Sequence, residues 1–238
     1  MTEWFEEWFG EEYLQLYPHR NDADAEQLVA LIAAALPLPR TARVLDIACG
    51  AGRHARAFRA RGLLPVGLDL SWALLLRARA TAAIPVVRCD MRTLPIRPGT
   101  FDLAVNLFTS FGYFDDDADH QRALNEMVAT VRRGGWFVLD FLNADRVRGA
   151  LVPYECATLG GVEVRIERRL VQDDRYVLKT ITTPDRRQFR ERVRLFPPAD
   201  LERMLERAGC QLAQRFGGYA GQPPSGDAPR VILMGAVG

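Results

Sequence analysis

This sequence of 238 residues lacks paired cysteines, a signal peptide and any long apolar run. Its four cysteines stand far apart, and no two of them form a Cys-x-x-Cys pair. This spacing argues against a zinc site and a disulfide framework, and it favours a reducing compartment. The N-terminus is acidic and aromatic, without the basic segment and apolar stretch of a signal peptide. No stretch approaches the about 20 apolar residues of a membrane span. We therefore expect a cytoplasmic protein that does not bind membranes.

Lysine is almost absent, and charge of neither sign dominates. The chain has 30 arginines but one lysine, Lys179, and its 31 basic residues nearly balance 30 acidic ones, which leaves a net charge of +1. That balance provides no overall field to attract nucleic acid or an anionic membrane. Arginine suits the recognition of carboxylates and phosphates. A genome-wide codon bias explains the same excess, given the equally heavy use of alanine, so both interpretations stay open.

Strand and helix patterns alternate along most of the chain. Between residues 42 and 143, five apolar strand patterns alternate with helical patterns, and two more strands are predicted at 210–219 and 229–237. Strands separated by helices of ten or more residues indicate parallel βαβ units with helices on both faces of the sheet. The predicted fold class is therefore α/β, with a doubly wound, mostly parallel sheet of seven strands.

The pattern changes between residues 152 and 195, where no helix is predicted. Three segments alternate apolar and polar residues there, which indicates an antiparallel meander with one buried face. Near the N-terminus, aromatic and apolar residues at helical spacing predict a helix over 2–17. We divide the chain accordingly into an N-terminal helical lid segment (1–38), an α/β core (39–145 and 196–238) and an inserted antiparallel β lid (146–195).

The segment VLDIACGAGRHA, residues 44–55, joins a predicted strand to a helix through two glycines. Gly50 and Gly52 let the backbone turn tightly, so that a ligand can approach the main chain. The helix that follows offers unpaired N–H groups to an anionic ligand. Asp46 lies in the strand, and Asp69 and Asp90 end the next two strands. Ligands of open parallel sheets bind beyond the carboxyl ends of the strands, so we expect these carboxylates to surround one site.

Four successive motifs resemble those of the class I S-adenosylmethionine-dependent methyltransferases. They are VLDIACGAGRHA, VGLDLS, VRCDMRTLP and FDLAVNLFTSFGYF, and the resemblance runs in order from about residue 42 to 141. It implies a Rossmann-like fold that ends in a reversed strand, with S-adenosyl-L-methionine as cofactor. The glycines alone also match dinucleotide sites, which leaves a nicotinamide-dependent oxidoreductase as an alternative. Asp46 precedes Gly50 by four residues, as in the methyltransferase pattern.

The same resemblance implies a role for each residue at these strand ends. Asp46 would lie just beneath the cofactor and orient its ammonium group through a water molecule. Backbone groups of the loop 48–52 would hold the methionine part of the cofactor. The other implied positions are Ala48, Cys49, Gly50 and Gly52 in that loop, Asp69 at the ribose hydroxyls with Leu70 against the adenine, Asp90 at the adenine amino group with Met91 beside the ring, and Asn106 and Leu107 beside the sulfonium.

A second, narrower resemblance concerns the segment YLQLYPHR, residues 13–20. It resembles the tyrosine-rich entry segment of small-molecule N- and O-methyltransferases, whose N-terminal helix covers the cofactor. This implies that Tyr13, Tyr17 and Arg20 line the site, with Arg20 facing the cofactor carboxylate. The alternative is ordinary amphipathic packing for the tyrosines and a surface position for Arg20. Phe111 and Tyr113 are candidates for an aromatic substrate pocket, with a place in the core as the alternative for Phe111.

These resemblances imply methyl transfer to a nitrogen or oxygen of a small molecule by in-line displacement. The cofactor brings the reactive group, and the protein aligns the nucleophile and excludes water. A general base is required only when the nucleophile keeps its proton, as a hydroxyl does, so we assign no catalytic residue. No cluster of His and Asp indicates a metal. The alternatives are a non-catalytic S-adenosylmethionine-binding partner subunit and an RNA or protein methyltransferase, and a homodimer is compatible with the sequence.

Two observations argue against a nucleic-acid partner. The fourth predicted strand is followed by Asn106-Leu-Phe-Thr, without the prolines found there in enzymes that methylate amides or base amines. Between residues 142 and 198 there are 12 basic and 8 acidic residues, an excess too small to favour RNA. We therefore expect a small-molecule substrate and no nucleic acid.

Overall fold

The computed structural model describes residues 3–17 and 22–238. The alternation of strand and helix predicted from the sequence is present, followed by an insert made of strands. The helices are α1 (Trp4–Trp8), α2 (Glu11–Leu16), α3 (Asp22–Ala35), α4 (Arg53–Ala60), α5 (Trp72–Ala82), α6 (Asp117–Ala129), α7 (Ala144–Gly149) and α8 (Pro198–Arg207). The strands are β1 (Arg43–Ile47), β2 (Leu64–Asp69), β3 (Val86–Arg88), β4 (Phe101–Asn106), β5 (Val131–Leu142), β6 (Tyr154–Leu159), β7 (Val162–Val171), β8 (Tyr176–Thr182), β9 (Gln188–Arg194), β10 (Cys210–Phe216) and β11 (Arg230–Val237).

Seven strands form one sheet in the order β10-β11-β5-β4-β1-β2-β3. The pairs β1–β2, β1–β4, β2–β3 and β4–β5 are parallel, whereas β11 runs antiparallel to both of its neighbours. This confirms the predicted α/β class and the reversed strand near the C-terminus. The strand order reverses at β1, between β2 and β4, so the edge of the sheet next to the Gly50 loop is the place where this architecture binds ligands.

Apolar residues cover both faces of this sheet. Along β1, Val44 packs on one face while Leu45 and Ile47 pack on the other, as the period-2 geometry of a strand requires. Helix α5 begins at a capping residue, since the Ser71 hydroxyl accepts a bond from the backbone N–H of Leu74. The buried faces fix the rotation of each strand, and they thereby fix which residues lie at its carboxyl end.

The insert forms a second sheet of four antiparallel strands, β6-β7-β8-β9. Three of these strands were predicted, whereas β6 was not. The inward face of this second sheet is apolar at one end, where Val164, Ile166 and Ile181 are buried. The N-terminal segment packs on that face through Trp8 and Leu16, so the insert and the first two helices share one apolar cluster.

The single helix predicted over 2–17 is wrong in one respect, because α1 and α2 are separate. They are interrupted at Gly10, which has an extended backbone conformation (φ −114°, ψ −154°) and precedes the first residue of α2. The break lets aromatic side chains of both short helices turn toward the same side, so that Trp8 and Tyr13 meet edge to face at 5.4 Å. Within 3–17 and 22–238, no helix has the length and apolarity needed to cross a membrane.

His120, on α6, provides a pH-dependent element of stability. Its side chain is fully buried between Phe111, Phe114 and Phe196. Burial lowers the pKa of the imidazole from 6.5 to about 4, against the opposing pull of Asp117. In the unfolded chain His120 is protonated below about pH 6.5, whereas in the folded chain it stays neutral down to about pH 4. The free energy of unfolding therefore falls as the pH falls through this window.

We expect His120→Gln to remove this loss. Wild type should lose up to about 3 kcal/mol relative to the variant as the pH falls from 7 to 4, since each pKa unit is worth about 1.4 kcal/mol. Urea unfolding of both proteins at several pH values measures the difference, and other titrating groups cancel in the comparison. A difference in unfolding free energy that stays constant with pH would contradict a neutral, buried His120.

Candidate functional site

A cavity of about 1220 Å³ opens at the carboxyl ends of β1 to β4. The loop 48–51 and the ends of β2 and β3 line one part of it. Aromatic residues of α1 and α2 line another part, and residues of the inserted sheet line a third part. Ligand pockets commonly measure about 300–1,000 Å³, so this cavity has room for two ligands side by side.

The glycine loop is held in a conformation that exposes its backbone to the cavity. Ala48, Gly50 and Gly52 have positive φ values of 58°, 55° and 79°. The loop is tied to β2, because the backbone N–H of Cys49 donates to the carbonyl of Leu68 at 2.8 Å. A Cβ added at Gly50 would meet no atom of residues 3–17 and 22–238 within 4 Å. The loop thus forms an open cradle beside Ala48, Cys49 and Gly50, which all line the cavity, whereas Gly52 is buried behind it.

Asp69 connects this loop to the start of α5. One carboxylate oxygen accepts from the backbone N–H of Gly50 at 2.8 Å, and the other accepts from that of Ser71 at 2.8 Å. Burial raises the pKa of Asp69, and these backbone hydrogen bonds oppose the rise. A carboxylate has about four lone-pair sites, so each oxygen retains capacity toward the cavity that Asp69 lines. Two hydroxyl groups of a ribose fit that capacity.

Asp46 lies beneath the loop and not on the cavity wall. Its side chain is 1% exposed, and within the described residues its Oδ2 atom has no hydrogen-bond partner. The pKa of Asp46 is raised to about 7, mainly by burial and to a smaller extent by the nearby charge of Asp69. A buried carboxylate oxygen without a partner is costly. This orphaned oxygen fits the predicted water-mediated contact with an ammonium group above it.

Asp90 lines the cavity at the end of β3, as predicted, together with Leu70 and Met91. It carries a bond that the sequence did not indicate, because the guanidinium of Arg92 donates to its carboxylate at 2.6 Å. This ion pair lowers the pKa of Asp90 despite the opposing effect of burial. Part of the acceptor capacity predicted for adenine is thus already engaged.

Asn106 and Leu107, at the end of β4, have different positions. Leu107 lines the cavity. Asn106 is fully buried behind it and donates to the carbonyl of Ile47 at 3.1 Å, so it braces β1 against β4. The next two residues, Phe108 and Thr109, have φ values of 59° and 62°. The chain therefore turns sharply between the sheet and the residues 110–114.

A buried network that no local sequence pattern indicates holds this turn. Asp140, at 0% exposure, accepts from the backbone N–H of Phe108 at 2.8 Å and from the Tyr219 hydroxyl at 3.0 Å. It also accepts from Nε of Arg230 at 2.8 Å, and Arg230 donates to the Thr109 hydroxyl at 3.0 Å. Left-handed residues cost energy outside glycine, so this network maintains the sharp turn that follows Leu107.

The residues predicted for the entry segment and for the substrate pocket divide into three groups. Tyr13, Tyr17 and Tyr113 line the cavity, and the Tyr113 hydroxyl donates to the carbonyl of Thr109 at 2.7 Å. Phe111 does not line it, because this ring is fully buried and stacks on Phe196. Arg20 lies outside the described residues. No group of three or more His, Cys, Asp or Glu side chains within the described part of the chain is arranged to hold a metal.

Alanine at Gly52 and at Gly50 should have different effects. At Gly52 the left-handed φ would strain alanine, and the new Cβ would lie 3.0 Å from Cβ of Ala78. We expect a loss of about 2–4 kcal/mol in unfolding free energy. At Gly50 only the strain applies, so we expect about 1–2 kcal/mol, together with weaker S-adenosylhomocysteine binding. Urea unfolding and calorimetric titration measure the two effects, and equal destabilisation by the two changes would contradict this description of the loop.

Known proteins resemble both the sequence and the fold. A family model described as a methyltransferase domain matches residues 44–135. The chain is 35% identical over 131 residues to a malonyl-[acyl-carrier protein] O-methyltransferase of Enterobacter lignolyticus, a match that covers 54% of this chain and 50% of that protein. It is 29% identical over 119 residues to a dTDP-4-amino-2,3,4,6-tetradeoxy-D-glucose N,N-dimethyltransferase of Saccharopolyspora spinosa, covering 50% of this chain and 47% of that protein. The matches thus span about half the length of these relatives.

The likeness in structure extends over the whole chain. The CcbJ methyltransferase of Streptomyces caelestis superposes with a TM-score of 0.81, at 18% identity, over 97% of this chain and 98% of that one. At this identity the likeness concerns the fold, which agrees with the seven-stranded sheet described above. The methyltransferase-domain match over residues 44–135 and the shared fold support a class I S-adenosylmethionine-dependent methyltransferase, as the motifs predict.

Proposed function

We propose that this protein transfers a methyl group from S-adenosylmethionine to a nitrogen or oxygen of a small molecule bound in the same cavity. The sulfonium of the cofactor supplies the activated methyl group. The protein orders both ligands and excludes water, which lowers the barrier through proximity. The observation that carries this proposal is the cavity of about 1220 Å³, which runs from the Gly50 cradle to the inserted sheet.

The cofactor half of the cavity contains the groups that would hold S-adenosylmethionine. The backbone of the cradle at Ala48, Cys49 and Gly50 would receive the methionine part. Asp69 would accept from the ribose hydroxyls with the lone pairs that Gly50 and Ser71 leave unused. The further proposed contacts are Asp46 beneath the ammonium group, Leu70 and Met91 against the adenine, Asp90 at its amino group, Leu107 beside the sulfonium, and Tyr17 at the lid, with Arg20 as a prediction from sequence.

The acceptor half has walls that suit a small molecule and not a polymer. It lies between α1, α2 and the inserted sheet, which cover the Leu107 end of the cavity. Trp4 and Tyr113 meet there edge to face at 5.2 Å. These elements line the place where a methyl acceptor would approach, and an extended chain would need a groove open at both ends. The two relatives named above act on an acyl-carrier-protein-bound acid and on a sugar nucleotide, so their names support oxygen and nitrogen equally.

Release of S-adenosylhomocysteine tests this proposal even while the acceptor is unidentified. The protein is incubated with S-adenosylmethionine and panels of small amines, small alcohols and carboxylic acids, and the released product is measured by mass spectrometry. Asp69→Ala serves as the control that should not bind the cofactor. Release with a small-molecule panel supports the proposal. Binding of the cofactor without release in any panel would favour a non-catalytic partner subunit, and release with RNA alone would favour an RNA methyltransferase.

A further inference from the structure

Three charged residues form one row across the inserted sheet. Arg168 on β7 lies directly opposite Lys179 on β8, and Lys179 lies directly opposite Glu191 on β9. Residues directly opposite each other in antiparallel strands share a face of the sheet. All three line the acceptor half of the cavity. The single lysine of the chain is therefore at the centre of this row.

The two cations of the row, Arg168 and Lys179, are unfavourable neighbours. Like charges directly opposite each other on adjacent strands destabilise a sheet. Each cation has a carboxylate on its outer side, because Arg168 donates to Glu155 at 2.6 Å and Lys179 donates to Glu191 at 3.2 Å. Along the cavity wall the charges thus follow in the order negative, positive, positive, negative, from Glu155 through Arg168 and Lys179 to Glu191. The position between the two cations is where an added negative charge would be most favourable.

Hydrogen-bond donors exceed acceptors at this position. An ammonium group has three N–H donors and a guanidinium has five. Lys179 uses two of its donors, on the Tyr17 hydroxyl at 2.9 Å and on Glu191. The Arg168 guanidinium bonds Glu155 and no other group in the described part of the chain. Both oxygens of Glu191 are engaged, since Trp8 donates to the second one at 2.8 Å.

We propose that Arg168 and Lys179 form a subsite for an oxyanion, a carboxylate or phosphate group carried by the methyl acceptor. This proposal names a substrate class for the proposed function and rests on it. The side chains of Arg168 and Lys179 are 24% and 18% exposed, so their charges are only partly screened by water and attract an anion more strongly than surface residues do. An oxyanion held here places the rest of the methyl acceptor between the aromatic residues of α1 and α2 and the cofactor.

The single lysine permits a test that requires no known acceptor. The protein, saturated with S-adenosylhomocysteine, is acetylated at pH 8.5 with an uncharged N-hydroxysuccinimide ester. Mass spectrometry compares the rate at Lys179 with the rate at the α-amino group of the chain, which serves as internal reference. Inorganic phosphate and acetate are the probes, with chloride at the same ionic strength as control. We expect phosphate, acetate or both to slow acetylation of Lys179 at least threefold relative to the reference.

Two arginine variants separate the subsite from a general effect of salt. Arg168→Gln should abolish the protection, because it removes one of the two cations. Arg169→Gln changes the adjacent residue of the same strand, which points to the opposite face, and should retain it. Protection by phosphate alone would identify a phosphate group, and protection by acetate alone a carboxylate. No protection by either probe, or equal protection in wild type and Arg168→Gln, would overturn the proposal.

Calorimetric titration of the same samples with S-adenosylhomocysteine distinguishes this proposal from the proposed function. Binding of S-adenosylhomocysteine without anion protection would overturn the subsite alone. Anion protection without binding of S-adenosylhomocysteine would contradict methyl transfer while leaving an anion site on the inserted sheet.

Discussion

The Asp69→Ala variant should lose about 100-fold or more of its affinity for S-adenosylhomocysteine and remain folded. The substitution removes the acceptor proposed for two ribose hydroxyls, and each hydrogen bond to a charged group contributes about 1.5–3 kcal/mol. It also frees the Gly50 loop from its bond at 2.8 Å. Calorimetric titration measures the affinity, and circular dichroism with thermal unfolding verifies the fold.

Asp69→Asn is the matched control for this result. Its amide retains one oxygen that can accept from the backbone N–H of Gly50 or of Ser71, but it loses the charge and one acceptor. We expect an affinity between those of wild type and Asp69→Ala. Near-wild-type affinity in a folded Asp69→Ala protein would contradict the assignment of Asp69 to the cofactor.

The Asp140→Ala variant should lose about 3–5 kcal/mol of unfolding free energy, the usual cost of removing one partner from a buried ion pair. Asp140 is fully buried, and Arg230 would keep its charge without the carboxylate that lies 2.8 Å away. The backbone N–H of Phe108 would lose its acceptor as well. Urea unfolding monitored by fluorescence measures the loss.

A double variant distinguishes the ion pair from simple loss of packing. If the cost of Asp140→Ala comes mainly from the charge left on Arg230, then Arg230→Met in the same protein should restore part of the stability. We expect the double variant to be more stable than the sum of the two single losses predicts, by about 1–3 kcal/mol. Strictly additive losses would show that Asp140 and Arg230 act independently, contrary to the network described here.

The parts of the site that were predictable from sequence depend on short-range pattern. The ends of two apolar runs place Asp69 at the carboxyl end of β2 and Asp90 just beyond that of β3, and the parallel topology places those ends at one edge of the sheet. Glycine at 50 and 52 indicates the left-handed turn. These features require only neighbouring residues and one topological rule, so the grouping of these residues along one cavity was predictable from the sequence.

The acceptor half was less predictable, because it depends on contacts between distant segments. Asp140 and Arg230 are 90 positions apart, and no local pattern pairs them. Their network sets the turn at Phe108 and Thr109, and that turn directs Phe111 into the core and Tyr113 into the cavity. The row of Arg168, Lys179 and Glu191 depends on the register of the inserted sheet. The alternation of apolar and polar residues predicted the three strands that carry this row. It did not predict which residues lie opposite one another.

Calorimetric titration of the purified protein with S-adenosylhomocysteine, in parallel with reduced nicotinamide dinucleotide, tests the central claim most directly. The structure and motifs predict micromolar binding of S-adenosylhomocysteine and no binding of the dinucleotide. Binding of the dinucleotide alone would contradict this account, because the same fold would then serve hydride transfer instead of methyl transfer.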